Sequence, residues 1–251
     1  MSPNLTLYAA LALYALPAFA ADPDALWQIV NGQCAPNQQA NHDPAPCLSV
    51  DLAAGYAVLK DLNGATQVLV IPTAPVTGIE SPALLDPASP NYFEDAWKAR
   101  AEVEKLAHRA IPREDIALAV NSIYARSQEQ LHIHVDCIRP EVRDALGAAL
   151  ERIGPKWARL DVALSGHRYR AMRIDGEDLD GHDPFKLLAE GDLMARADMA
   201  EQTLVVVGVD FPDGAPGFVL LSDRADISTH DPAAGEALMD HGCKVLKPMG
   251  G

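Results

Sequence analysis

Polar and apolar residues alternate from Gln130 to Val135: Gln130, Leu131, His132, Ile133, His134, Val135. A period of two marks a half-buried strand. It puts Leu131, Ile133 and Val135 on a core face, with Gln130, His132 and His134 in a row on the other. Residues 55–61 and 67–72 predict two earlier strands, joined at Asn63-Gly64, where both residues of a tight hairpin turn tolerate positive φ. The proline-rich stretch 72–91 predicts a loop. Phe93, Ala96, Trp97, Ala101, Val103 and Leu106 recur at helical spacing, so 92–110 predicts a helix of about five turns. Residues 116–121 predict a strand and 140–153 a helix. Upstream, 24–34 predicts a short amphipathic helix and 35–49 a loop.

The later half is plainer. Residues 166–173 predict an extended basic segment and 184–200 a helix. Residues 203–210 and 217–222 predict a hairpin around Pro212-Asp213-Gly214, and 233–241 a last helix. A run of hairpin, helix and strands favours an α+β class, an antiparallel sheet with helices packed on one face. Strand pairs and helices recur in both halves without sequence identity at a fixed period. That raises an internal duplication with a degenerate second half.

Composition places the chain among ordinary globular proteins, 251 residues with 49% hydrophobic and 6% aromatic. A net charge of −15 argues against broad nucleic-acid binding and against a polybasic membrane patch. Residues 5–20 form an apolar run ending in Ala18-Phe19-Ala20, which predicts a signal peptide over 1–20, or an N-terminal anchor, ahead of one domain over 21–251. No Lys or Arg precedes Lys60, so the usual positive start is missing. Four cysteines fit an exported chain and allow three pairings. Cys34 with Cys47 is preferred, because the loop between them carries Pro36, Pro44 and Pro46 and has little core of its own. Cys137 is then left with Cys243.

Two histidines and an amide on one strand face suit a nucleophile, a proton shuttle or a metal site. The stretch 130–136 resembles the signature of the histidine-triad family, His-φ-His-φ-His-φ-φ, with φ apolar. Gln130 stands at the first triad position and Asp136 at the last apolar one. Over a longer span the chain resembles the bacterial CDP-diacylglycerol pyrophosphatases, a distant branch of that superfamily. Residues 34–39, 55–64, 80–82, 132–140, 166–167, 184–185, 218–221 and 240–241 carry the likeness, in order along the chain.

The resemblance implies hydrolysis of CDP-diacylglycerol to CMP and phosphatidate, with His132 as nucleophile and a cytidylyl-histidine intermediate. It implies no cofactor and no metal. His134 would donate to a phosphate oxygen and Gln130 could use its amide in the same way. Ser127 would contact the leaving-group oxygen, and Asn121 would lie near the phosphate. Lys60 and Arg139 offer positive charge to a diphosphate. His167, with Arg168, Arg170 and Arg173, forms a basic cluster in an acidic chain, a candidate for phosphate or headgroup contact. The lipid substrate would come from a membrane surface, on the periplasmic side, with no nucleic-acid partner. Two other classes compete. His132, His134 and Asp136 also fit the His-x-His-x-Asp opening of zinc hydrolases of the β-lactamase fold. A periplasmic protein that binds a nucleotide or lipid without turning it over is the third. The wider family is dimeric, and the extra C-terminal half leaves the oligomeric state open.

Overall fold

The computed structural model describes residues 22–246, so the predicted leader over 1–20 lies outside them. The chain opens on α1 (Ala25–Ile29), runs through one π-helical turn (Val30–Cys34) and continues as α2 (Ala35–Asn41). The predicted helix therefore extends well past Cys34 into the predicted loop. Pro36 lies in the first turn of α2, directly after the π-helical turn.

Nine strands follow: β1 (Ser49–Asp51), β2 (Tyr56–Lys60), β3 (Val68–Pro72), β4 (Ile116–Val120), β5 (Ile133–Cys137), β6 (Ala158–Arg159), β7 (Arg170–Asp175), β8 (Gln202–Asp210) and β9 (Pro216–Arg224). They make one antiparallel sheet in the order β1-β2-β3-β5-β4-β8-β9-β7-β6. The helices between them are α3 (Tyr92–Ala107), α4 (Pro140–Gly147), α5 (Pro184–Gly191) and α6 (Leu193–Ala197). The class is α+β, as the pattern implies.

Alternate sheet residues separate two faces. Val68, Val70, Leu118, Ile133, Val135, Val206 and Leu220 join a core with Phe93 and Trp97 of α3 and Phe185 of α5. Burying Phe93 there contributes about 2 kcal/mol relative to leaving it in water. Asn91 caps α3 by accepting from the Glu94 N–H, and Glu94 and Asp95 place negative charge at its positive end. On the opposite face two smaller cores form. Ala117, Ala119, Val205, Val207, Val219 and Leu221 pack under Val142 and Leu146 of α4. Ala57, Leu59, Leu69 and Ile71 pack under Leu26 and Val30. Helices thus cover both faces, not one. A sheet this wide has an apolar residue at nearly every central position, so one covered face would leave the other in water.

Several predicted helices are shorter than their apolar spacing suggests. The stretch 140–153 breaks after Gly147 and resumes as a 3-10 turn at Leu150–Arg152. The stretch 184–200 splits at Asp192, whose carboxylate accepts from the N–H groups of Met194 and Ala195 and so starts α6. The last helix is only a 3-10 turn, Gly235–Leu238. At the β2–β3 connection only Gly64 of the Asn63-Gly64 pair has positive φ, 68°, and the loop is wider than a two-residue turn.

Both preferred disulfides form, Cys34–Cys47 and Cys137–Cys243. The first fastens the N-terminal helices to the chain just before β1. The second fastens the C-terminal segment to β5.

Candidate active site

β5 lies between the two cores of one face. Leu131, Ile133 and Val135 turn into the large core, as predicted. His132, His134 and Asp136 turn to the other side, where α4 lies to one flank and α1 to the other. Beside α1 this face opens into a pocket of about 540 Å3, walled by Leu26, Ile29, Leu59 and Leu69 on its apolar side. Its polar side carries Asn121, Ser127, His132, His134 and Glu236.

The imidazole of His132 donates its Nδ1–H to the backbone carbonyl of Gln130 at 2.8 Å. That bond leaves Nε2 with a free lone pair. Burial lowers the His132 pKa, an effect the nearby Arg126 reinforces, while the Gln130 carbonyl, Glu236 and Asp61 oppose it. The ring is therefore held neutral. His134 is pushed down to about 4 by burial and by His132, against the pull of Glu236 and Asp61. Two positions along a strand span about 7 Å, but the rings lean together until their centroids are 5.0 Å apart, edge to face.

Around His134 the Gln67 amide is the hub. Its Nε2 lies 2.6 Å from Asp61 Oδ2, 3.0 Å from His134 Nδ1 and 3.0 Å from Glu236 Oε1. The Gln67 amide has two hydrogens to share among these three atoms, and His134 Nε2 lies 3.5 Å from the Asn121 amide nitrogen. Asn121 also accepts the Glu236 N–H at 3.1 Å and donates to Glu236 Oε2 at 3.3 Å. Glu236 Oε1 lies 3.4 Å from His241 Nε2, and His241 Nδ1 lies 3.2 Å from Asp136 Oδ2. Thr66 donates to the other Asp136 oxygen at 2.7 Å.

The predicted residues divide. His132, His134, Asn121, Ser127 and Lys60 line the one pocket. The Lys60 ammonium is bonded to the carbonyls of Asp61 (2.6 Å) and Gly64 (2.9 Å), which fixes the hairpin tip on the pocket rim. Gln130 is buried and turned away. Its amide donates to the carbonyls of Pro72 and Ala74 and accepts the Val76 N–H, so it pins the segment after β3. Arg139 bonds the Met239 carbonyl and borders a separate crevice with His241. His167 pairs with Asp231 on the second half of the sheet. Arg168 and Arg170 border another crevice, and Arg173 is tied to Asp175 and Asp213.

Sequence reasoning missed Gln67, Asp61, Arg126, Glu236 and the role of His241. Gln67 carried a signal, because it directly precedes β3 and shares parity with the buried Leu69 and Ile71. A polar residue at a core parity needs a polar neighbour. Glu236 carried none, since it reaches His134 from about a hundred residues away.

The zinc trio fails on geometry. Asp136 is spent on Thr66 and His241 and does not converge with His132 and His134. Among the described residues, Asp61, His134 and Glu236 bring ligand-type atoms within 4.8 Å of one another. The Gln67 nitrogen already sits against all three of those atoms.

Fold and pocket together define an α+β protein with a neutral, oriented histidine at the polar end of a cavity whose other wall is aliphatic, a site for an amphiphilic ligand. A family model described as CDP-diacylglycerol pyrophosphatase matches residues 21–247. A curated CDP-diacylglycerol pyrophosphatase from Yersinia pestis is 44% identical over 223 residues, covering 89% of this chain and 85% of that protein. The chain belongs to the CDP-diacylglycerol pyrophosphatase family.

Proposed function

We propose that the chain hydrolyses the diphosphate of CDP-diacylglycerol to CMP and phosphatidate, with His132 as the nucleophile. The observation that carries the mechanism is the bond from His132 Nδ1–H to the Gln130 carbonyl, which aims an unprotonated Nε2 into the pocket. Nε2 attacks the phosphorus nearest cytidine. The bond from that phosphorus to the bridging oxygen breaks, and phosphatidate leaves with the oxygen. The ring keeps its Nδ1 proton on the carbonyl, so the cytidylyl-histidine is imidazolium-like and leaves readily when water attacks. Splitting one displacement in two replaces water by a better nucleophile in the first step.

Donors hold the phosphate oxygens. His134 offers Nε2–H, Asn121 its amide and Ser127 its hydroxyl toward the leaving oxygen. Lys60 adds positive charge at the rim. Gln130 does its work through its backbone carbonyl. The aliphatic wall receives an apolar part of the substrate, drawn from a membrane surface. The matched strand plans of the two halves support a histidine-triad-like fold whose second copy has lost its histidines. Two disulfides suit an oxidising compartment, and we place the protein at the periplasmic side. Among the described residues no helix is long and apolar enough to cross a membrane.

The test is turnover of CDP-diacylglycerol by the wild type and by His132→Ala, with and without a chelator. Turnover that survives EDTA and is lost in the variant supports the reading. A chain that binds the lipid without releasing CMP is the non-catalytic binder instead.

A further inference from the structure

Hydrolysis of a cytidylyl-histidine needs a base that His132 cannot supply. In the adduct its Nε2 is bonded to phosphorus and its Nδ1–H is held by the Gln130 carbonyl. His134 is a poor base, because its Nδ1 is crowded by the Gln67 amide at 3.0 Å and burial disfavours its charged form. Two carboxylates line the pocket, Asp61 and Glu236. Asp61 Oδ2 is closed off by the Gln67 amide at 2.6 Å, and its side chain is 10% exposed. The Glu236 side chain is 24% exposed, and its Oε2 meets only the Asn121 amide at 3.3 Å.

We propose that Glu236 is the general base of the second half-reaction, and that His241, whose Nε2 lies 3.4 Å from Glu236 Oε1, is the residue that positions it. The inference rests on the cytidylyl-His132 reading. A water bound beside Glu236 Oε2 attacks the phosphorus. The O–P bond forms and the P–Nε2 bond breaks, so His132 leaves as neutral imidazole still protonated at Nδ1. The water proton passes to Glu236 and from there to solvent, and CMP departs. Every atom comes from water or the adduct.

The surroundings of Glu236 suit the role. Facing it are His134 from β5, Gln67 and Asp61 from the hairpin, Asn121 after β4, and His241 from its own segment. Burial alone would raise its pKa. With His134 neutral, the groups that counter burial and favour its anion are the Gln67 amide, His241 and the Asn121 amide, and its pKa lies below the usual carboxylate value. His241 is itself held above an ordinary histidine by its bond to Asp136.

Glu236 and His241 ride on one C-terminal strap, fastened to β5 in several places. Asp240 N–H donates to the Cys137 carbonyl at 2.8 Å, Arg139 N–H donates to the Leu238 carbonyl at 3.0 Å, and Cys137 is bridged to Cys243. The hairpin tip closes on the strap as well. A Cβ at Gly64 would lie 2.9 Å from His241 Cβ, so only glycine permits that approach.

The experiment uses the full chain with CDP-diacylglycerol and follows phosphatidate and CMP separately. Glu236→Gln should release one equivalent of phosphatidate at near wild-type rate. Its steady-state CMP production should then fall about 10²–10³-fold while adduct accumulates. Equal loss of burst and turnover in a variant that melts like wild type would overturn the proposal, as would unchanged turnover. His241→Gln provides a second readout. Losing the imidazolium should move the acid limb of CMP release to higher pH without changing the burst, and an unmoved limb would contradict the assignment. Absence of a phosphatidate burst and of adduct in the wild type would instead remove the histidine intermediate itself.

Discussion

Each half of the sheet is laid down in the same plan. In the first, the β2–β3 hairpin leads through α3 to β4 and β5, and the order inward is β2-β3-β5-β4, with the short β1 added outside β2 at the edge. In the second, β6 and β7 lead through α5 and α6 to β8 and β9, and the order inward is β6-β7-β9-β8. The halves meet where β4 pairs with β8. β5 and β9 are counterparts, and on the face that bears the histidines they differ completely. β5 presents His134 and Asp136, preceded by His132. β9 presents Val219 and Leu221, sealed under α4. One plan thus serves as a site where a polar row faces a gap, and as a support where an aliphatic row faces a helix. Chemistry in this molecule depends on what covers a strand as much as on the strand.

The sharpest break of that comparison is one substitution on the same sheet face in each half. His132→Ala should lower kcat by at least about 10³, roughly 4 kcal/mol of transition-state stabilisation, while substrate still binds. Leu221→Ala should cost about 2–5 kcal/mol of stability by opening a cavity, yet the folded fraction should keep near wild-type turnover. Steady-state kinetics and denaturant melts on the same two variants separate the outcomes.

Next comes the clamp between β5 and the C-terminal segment. Removing both Cys137 and Cys243 as serines frees a loop of 106 residues and should cost about 4–5 kcal/mol of stability. Because the strap carries Glu236, activity should fall further than the melting curve requires. A parallel Cys34/Cys47 double variant should lose stability with less effect on turnover.

His134 should make stability depend on pH. In the unfolded chain a histidine takes its proton near 6.5, whereas folded His134 resists protonation until about 4. Between those values this site binds more protons in the unfolded state, so its contribution to stability falls as pH drops through that window, by at most about 3 kcal/mol. Asp95 and Asp223, each raised to about 6 by burial, act in the opposite sense. Melts of wild type and His134→Ala from pH 7 to pH 4 should differ by the histidine's contribution. The same variant should lose less activity than His132→Ala, since it removes one donor among several.

Much of this was legible in the alternation. Strand parity placed Leu131, Ile133 and Val135 in the core and the histidines opposite. Apolar spacing found α3, and the Pro212-Asp213-Gly214 turn found the β8–β9 hairpin. What failed were features decided by distant neighbours or by local caps. Asp192 starts a new helix where apolar spacing alone runs straight through. The second helical face was hidden because Leu69 and Val205 look alike in sequence whichever layer covers them. Asn121 and Ser127 lie close in sequence to the histidines and were accessible to reasoning, whereas Glu236 arrives on a strap that only the tertiary fold delivers. Gln130 precedes β5 instead of sharing its histidine face, and its amide bonds the backbone of Pro72, Ala74 and Val76, which no periodicity could show. The smallest expected effect follows from that placement. Gln130→His should change turnover of the folded protein by less than tenfold, because the carbonyl that orients His132 belongs to the main chain; a change of several hundredfold would give the side chain itself a catalytic part.

The most direct measurement is a rapid acid quench of the wild-type chain with CDP-diacylglycerol labelled at the cytidine-side phosphate, followed by peptide mapping. The account predicts label on the peptide bearing His132, stable in alkali and lost in acid as a phosphoramidate is, absent from His132→Ala and present in His134→Ala. Turnover without label at any time point, together with loss of activity in EDTA, would contradict it.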